Sequence, residues 1–290
     1  VTEGQQKHGA PPGFYLVAYF ATFWPGAIMA VAAIPLLFRE RSQDWAAFLI
    51  AWVVPAWLVF EAVPTKLPHY VMPLYPAFAI AAVVAVSRGF SGPWRWGAKL
   101  GFGAMPLVTF GLATVVTLGL WWLDKRLPEL GLVQMALACL GSLAAWWRFC
   151  QGQVTRSLLT AILSATVMSV GVFGLSQPLF ESLRLSGRAA ALARTAPCGT
   201  PIVGTLGYRE PSLVFLSGTD LDMLDGAEAA AAFATAPGCR VTIVDERQIS
   251  AFRDALQKRQ VTQLQALGRI RGFNINGGRP QELGLYTIPR

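Results

Sequence analysis

Six long stretches of this chain carry no Asp, Glu, Lys, Arg or His: Phe14–Phe38, Trp45–Phe60, Tyr70–Val86, Leu100–Trp122, Leu132–Trp147 and Leu158–Leu179. Inside a bilayer the backbone must satisfy its own hydrogen bonds, so such runs fold as helices. A crossing takes about 20 apolar residues. The second, third and fifth runs are short, which places their flanking polar residues near the interface. Pro25, Pro35, Pro55, Pro73 and Pro76 interrupt the first three; neighbouring helices satisfy the carbonyls that prolines free. Of the 290 residues 54% are hydrophobic and only 14% are charged, against about 25% charged in soluble domains. The expectation is an α-helical polytopic membrane domain of about six transmembrane helices over residues 1–186. A small extracytoplasmic α/β domain follows over 187–290.

Loop charges orient the spans. Arg39, Arg41, Arg88, Arg95, Lys99, Arg148 and Arg156 fall on one side, and Lys7, Lys66, Lys125 and Arg126 on the other. The excess puts the first set in the cytoplasm. Both ends of the chain then lie outside, as does the Glu61–Tyr70 loop. The net charge of +8 reads as this bias. No basic run interleaved with aromatics marks a nucleic-acid surface, so membrane lipids are the expected partners and nucleic acid is not. Trp45, Trp94, Trp96, Trp121, Trp122, Trp146 and Trp147 cluster at span ends, where an aromatic belt sits. A polar segment from Thr2 to Lys7 leads straight into a span, so the chain reads as an internal cut through a larger protein.

The tail alternates strand and helix patterns. Helices are expected at Arg188–Ala196, Pro211–Ser217, Ala227–Thr235 and Glu246–Gln257, the last with Ile249, Phe252 and Leu256 on one face. Strands are expected at Pro201–Val203, Val241–Val244, Gln265–Ile270 and Leu283–Ile288, with a turn over Gly204–Gly207. That order suits a partly parallel sheet. The Gly204–Gly207 turn lacks the glycine spacing of a nucleotide loop. Cys198 and Cys239 each precede a strand in similar contexts. If those strands are parallel neighbours, the Cα atoms come within disulfide range of roughly 4.4–6.8 Å, and an extracytoplasmic domain permits the bond. Cys139 and Cys150 read as apolar fillers.

The spans hold no ionisable group at mid-membrane depth, which ion-coupled transporters usually keep. Polar groups gather instead at the outer surface: His8, Glu61, Lys66, His69 and Tyr70. Lys66 precedes a helix expected to start near Tyr70. A helix N-terminus favours anions, a lysine adds a full charge, and a tyrosine adds a donor. The arrangement suits a phosphate at the interface; a snorkelling lysine beside a belt tyrosine is the plain alternative.

The stretch Thr65-Lys66-Leu67-Pro68-His69-Tyr70-Val71-Met72-Pro73-Leu74-Tyr75-Pro76 resembles the KLPxYxLPxYP signature of bacterial dolichyl-phosphate-mannose–protein mannosyltransferase-like glycosyltransferases. That group includes the aminoarabinose transferases that modify lipid A. Two further blocks are similar: His8-Gly9-Ala10-Pro11-Pro12-Gly13-Phe14-Tyr15 with Phe23-Trp24-Pro25-Gly26, and Gly207-Tyr208-Arg209-Glu210-Pro211-Ser212-Leu213-Val214-Phe215. The blocks match the second half of such an enzyme.

The resemblance implies a C-type glycosyltransferase of the bacterial inner membrane. It would move a sugar from a polyprenyl-phosphate donor to lipid A, a protein (as in protein O-mannosylation) or another glycan on the periplasmic side. It implies that Lys66 and Tyr70 contact the lipid phosphate, with His69 beside them in an open role. It also implies that His8 stands where some relatives help hold a divalent metal. The family's catalytic aspartate has no counterpart on this chain. Two rival readings stay open: a polyprenyl-lipid-binding scaffold or subunit, and a lipid or sugar transporter.

Overall fold

The computed structural model describes residues 10–88, 93–274 and 278–289. Contacts divide the chain into two units. A helical unit runs to Trp122 and from Arg126 to Pro178, and a second unit joins Leu123–Lys125 to the chain from Leu179 onward. The second unit thus starts before the expected residue 187. The reason is helix α9, Leu185–Ala193, whose Leu185, Ala189 and Ala193 are buried against the sheet.

In the helical unit, five helices among the described residues are long and apolar enough to cross a membrane: Asp44–Ala62, Pro68–Arg88, Trp96–Asp124, Glu129–Cys150 and Val154–Leu179. The run Phe14–Phe38, expected as a sixth span, is not one helix. It is cut into α1 (Phe14–Thr22), α2 (Gly26–Ala32) and α3 (Ile34–Arg39). Pro25 and Pro35 have no amide to donate, so the ladder breaks before each. By contrast Pro55 in α4 (Asp44–Ala62) leaves its helix whole. A seven-residue 3₁₀ segment, Pro68–Leu74, leads into α5 (Tyr75–Arg88), followed by α6 (Pro93–Asp124) and α7 (Glu129–Cys150). Helix α8 (Val154–Ser169) continues as a π-helical stretch, Val170–Ser176.

Small residues hold α7 and α8 together. Ser164 Oγ donates to the Ala138 carbonyl and Ser157 Oγ to the Ala145 carbonyl, each at 2.6 Å. A Cβ on Gly131 would stand 2.3 Å from Ser176 Oγ. Water cannot compete for these hydroxyls inside a bilayer, and small side chains let the backbones approach. An aromatic cluster lies elsewhere in the unit, with Tyr19 at its centre, stacked on Phe23 and close to Trp57 and Phe78.

The second unit is a five-stranded sheet between two helix layers. Its strands are β1 (Ile202–Leu206), β2 (Asp222–Leu224), β3 (Arg240–Asp245), β4 (Gln265–Asn274) and β5 (Arg279–Thr287). They run in the order β2-β1-β3-β5-β4. The first three are parallel, and β5 and β4 are antiparallel to their neighbours. Val241 and Ile243 point to the face covered by α9 and α10 (Pro211–Ser217). Val244 and Leu206 point to the face covered by α11 (Ala227–Thr235) and α12 (Ile249–Lys258). Burial on both faces explains why Val241, Ile243 and Val244 show no apolar–polar alternation, with Thr242 buried among them. Strand β2 has no counterpart in the sequence expectations.

Gly204 lies inside β1 rather than in a turn. A Cβ there would meet Phe233 at 2.7 Å, so the glycine serves close helix–strand packing. The turn begins at Gly207, with φ of +83°.

Cys198 and Cys239 form a disulfide with Cα atoms 5.4 Å apart, closing a sequence separation of 41. Its basis is the parallel pairing of Ile202 with Arg240. Replacing both cysteines by serine is expected to lower the stability of this unit by about 2–4 kcal/mol, through the larger entropy of the unlinked unfolded chain. Thermal unfolding with and without reductant checks it; an unchanged transition in the double mutant would count against this role.

Candidate lipid-phosphate site

The turn after α4 buries a charge. Chain leaving Ala62 passes through an extended Val63, and Lys66 folds back over the helix end. Its Nζ donates to the Glu61 carbonyl at 2.5 Å and to Glu61 Oε2 at 3.1 Å. The lysine side chain is 3% exposed and the Glu61 side chain 19%. The ammonium also stands over the Tyr15 ring, 5.4 Å from its centroid. Glu61 Oε2 accepts a second bond, from the Gly13 amide at 3.2 Å, at the start of α1. One carboxylate therefore ties the entry of α1, the end of α4 and Lys66 into a single arrangement. A charge taken this far out of water needs its partners, and the attraction between them grows as water is excluded.

Aromatic rings wall this arrangement. Tyr15 is fully buried and lies 6.4 Å from Phe60, which in turn lies 6.2 Å from Tyr70. His69 meets Tyr70 edge-on at 5.0 Å and is exposed. Tyr70 is half-buried, and its amide donates to the Leu67 carbonyl at 3.1 Å.

One expectation is corrected here. No α-helix begins near Tyr70. Pro68–Leu74 is 3₁₀ and the α-helix starts at Tyr75. Pro73 and Pro76 remove amides that an α-helix through this stretch would use, and short 3₁₀ pieces accommodate such sequences. The full dipole of an α-helix terminus is thus not aimed at Lys66. The local positive charge is the ammonium itself.

Reasoning from sequence placed Lys66, His69 and Tyr70 in one loop but missed how Lys66 is held. Glu61 was noted only as one outer polar group, and Tyr15 only as part of a similar block. An acid closing the charge-free run Trp45–Phe60, five residues before a lysine, was the available signal. His8, tied by resemblance to a divalent metal, lies outside the described residues. Among the described residues no group of three His, Cys, Asp or Glu side chains gathers around one point, so no step is derived through a metal.

A polytopic helical unit joined to a small α/β unit defines an integral-membrane protein, with a lysine buried at the end of one candidate span. No protein-family model matches the chain. It is 29% identical over 126 residues to the undecaprenyl phosphate-α-4-amino-4-deoxy-L-arabinose arabinosyl transferase of Erwinia tasmaniensis; the match takes in 42% of this chain and 22% of that protein. It is 28% identical over 178 residues to a second such transferase, from Sodalis glossinidius, covering 61% of this chain and 28% of that one.

Two crystal structures of ArnT from Cupriavidus metallidurans share the fold. The apo form has a TM-score of 0.59 and 17% identity, covering all of this chain and 56% of that one. The form bound to undecaprenyl phosphate has a TM-score of 0.57 and 16% identity, covering 96% and 53%. The chain is thus ArnT-like in fold and, over the matched stretch, in sequence. It spans about half the length of the solved chains, and the sequence matches take in about a quarter of the curated relatives.

Glu61→Ala is expected to destabilise the helical unit by about 1–3 kcal/mol. It leaves Lys66 with one bond fewer and the Gly13 amide without its carboxylate. Full burial of both partners would cost more, but Glu61 keeps some water. Thermal unfolding in detergent micelles reads this directly, and a wild-type transition would refute the tie described here.

Proposed function

We propose that this chain forms the lipid-phosphate-holding part of a membrane glycosyltransferase. The donor is a sugar on a polyprenyl phosphate, and transfer takes place at the periplasmic face of the bacterial inner membrane. The observation that carries the reading is the Lys66 ammonium, buried at a span end and balanced by a carboxylate that retains some exposure. A lipid phosphate arriving along the bilayer surface is a better partner than a carboxylate. It brings more charge and more acceptor oxygens, and charge-assisted bonds to it are strong. The similarity to transferases named for undecaprenyl phosphate donors, and to a fold solved with that lipid bound, supports the same ligand class.

The chemistry follows from where charge develops. Transfer breaks the bond between the sugar's anomeric carbon and the phosphate oxygen, so negative charge grows on the departing lipid phosphate. A fixed ammonium in a site of low dielectric stabilises that charge more than water does. Lys66 supplies the ammonium. Tyr70, half-buried and aromatic on one side, supplies a hydroxyl donor at the same loop. His69, exposed beside it, is placed to meet the headgroup. Activating the acceptor hydroxyl needs a base, which we assign to no residue of this chain. The acceptor is lipid A, a protein or another glycan; the names of the curated relatives favour an aminoarabinose donor.

Lys66→Ala in the enzyme is expected to lower turnover with lipid-linked donor at least about tenfold, a loss of about 1.4 kcal/mol of transition-state stabilisation. Wild-type turnover in a folded mutant would contradict the role.

A further inference from the structure

The α/β unit has a crevice of 670 Å³ that the lipid-phosphate reading does not use. Its position follows from the chain path. Strand β1 leads through α10 to β2 on one side, and β2 leads through α11 back across β1 to β3 on the other. The two connecting helices cover opposite faces of the sheet. Strand order therefore reverses between β1 and β3, and the carboxyl ends of the strands open a gap there. Ligands of open α/β sheets bind at such points. The crevice opens at this edge, lined by Leu206 and Gly207 at the end of β1 and by Leu224 at the end of β2, with Gln248 following β3.

The lining selects a chemical class. Arg209 and Arg279 bring two guanidinium groups; Glu210 and Asp225 bring two carboxylates. Arg209 is bonded to Asp225. A simple anion meets both carboxylates and a simple cation meets both guanidinium groups, so neither is favoured. The amides of Gln248, Asn274 and Gln281 complete the polar lining.

Two of these amides, those of Asn274 and Gln281, are held in place. Buried Asp245 accepts from the Arg247 amide at 3.0 Å and from Gln281 Nε2 at 3.1 Å, and Asn274 Nδ2 donates to Gln281 Oε1 at 3.1 Å. Gly207 lets the Gln248 amide pack against the backbone beside them, since a Cβ there would stand 2.9 Å from Gln248 Nε2. Planar groups that both donate and accept in pairs match vicinal hydroxyls, each of which is itself donor and acceptor.

We propose that this crevice binds a saccharide of about two sugar units, a size suited to pockets of several hundred Å³. The proposal deepens the transferase reading, giving the α/β unit the task of holding a glycan. It is read by binding without turnover, so its failure leaves the Lys66 test standing.

The experiment uses the full chain in lipid nanodiscs and a neutral disaccharide, maltose, as probe, with inorganic phosphate and spermidine as comparison ligands. Amide hydrogen exchange is followed by mass spectrometry. The expected result is saturable protection of residues 206–210 and 224–228 by the disaccharide at millimolar concentration, with none from phosphate or spermidine. Gln248→Ala and Arg279→Ala, both changes at the rim, are each expected to weaken the disaccharide about fivefold, the loss of one or two hydrogen bonds. Absence of protection by the disaccharide in the wild type overturns the proposal. Equal protection by phosphate or by spermidine overturns it as well, as do two folded variants that bind like wild type.

Discussion

A lysine ammonium removed from water sets the terms for one end of the helical unit. Lys66 must be met by opposite charge wherever it is buried, and Glu61 meets it twice, through its carboxylate and its own carbonyl. The same carboxylate reaches the Gly13 amide, so the break before α1 and the turn after α4 are fixed by one side chain. Tyr15 packs under the ammonium, and the 3₁₀ segment that carries His69 and Tyr70 follows directly. Remove the charge and the carboxylate has no reason to gather these pieces. Replace the carboxylate with a phosphate and the ammonium remains paired, which is the exchange that a lipid-phosphate site requires.

The rest of the helical unit obeys a different rule. Between helices in a bilayer, apolar side chains gain little from leaving lipid, so close backbone approach and buried hydroxyl bonds decide the packing. Ser157, Ser164 and Gly131 do this between α7, α8 and the π-helical stretch. The α/β unit returns to ordinary hydrophobic burial, with apolar side chains on both faces of the sheet and helices on each side. Its disulfide adds a covalent limit on the unfolded chain.

Much of this was legible before the structure. Helix α11 was readable to the residue because an alanine-rich run starts after Gly226 and stops before Pro237. Long charge-free runs located α4, α6, α7 and α8. The cysteine pair followed from two similar contexts, each before a strand. The failures have physical causes. Hydropathy alone read Phe14–Phe38 as one span, whereas two prolines cut it. Gly204 looked like a turn glycine because the sequence does not show Phe233 lying against β1. Lys66 was recognisable from its motif, but its pairing with Glu61 depends on the path of Val63–Thr65, which no periodicity records. The carboxyl-edge crevice needed strand order, and β2, three residues long, gave too short a pattern to read.

In the proposed function, Lys66 exchanges Glu61 for a lipid phosphate. A structure of the protein determined with undecaprenyl phosphate tests it most directly. A phosphate oxygen is expected at about 2.7–2.9 Å from Lys66 Nζ, the usual length of a charge-assisted bond, with the Glu61 carboxylate withdrawn from the ammonium. A bound lipid phosphate elsewhere, with both Lys66–Glu61 bonds intact, would contradict it.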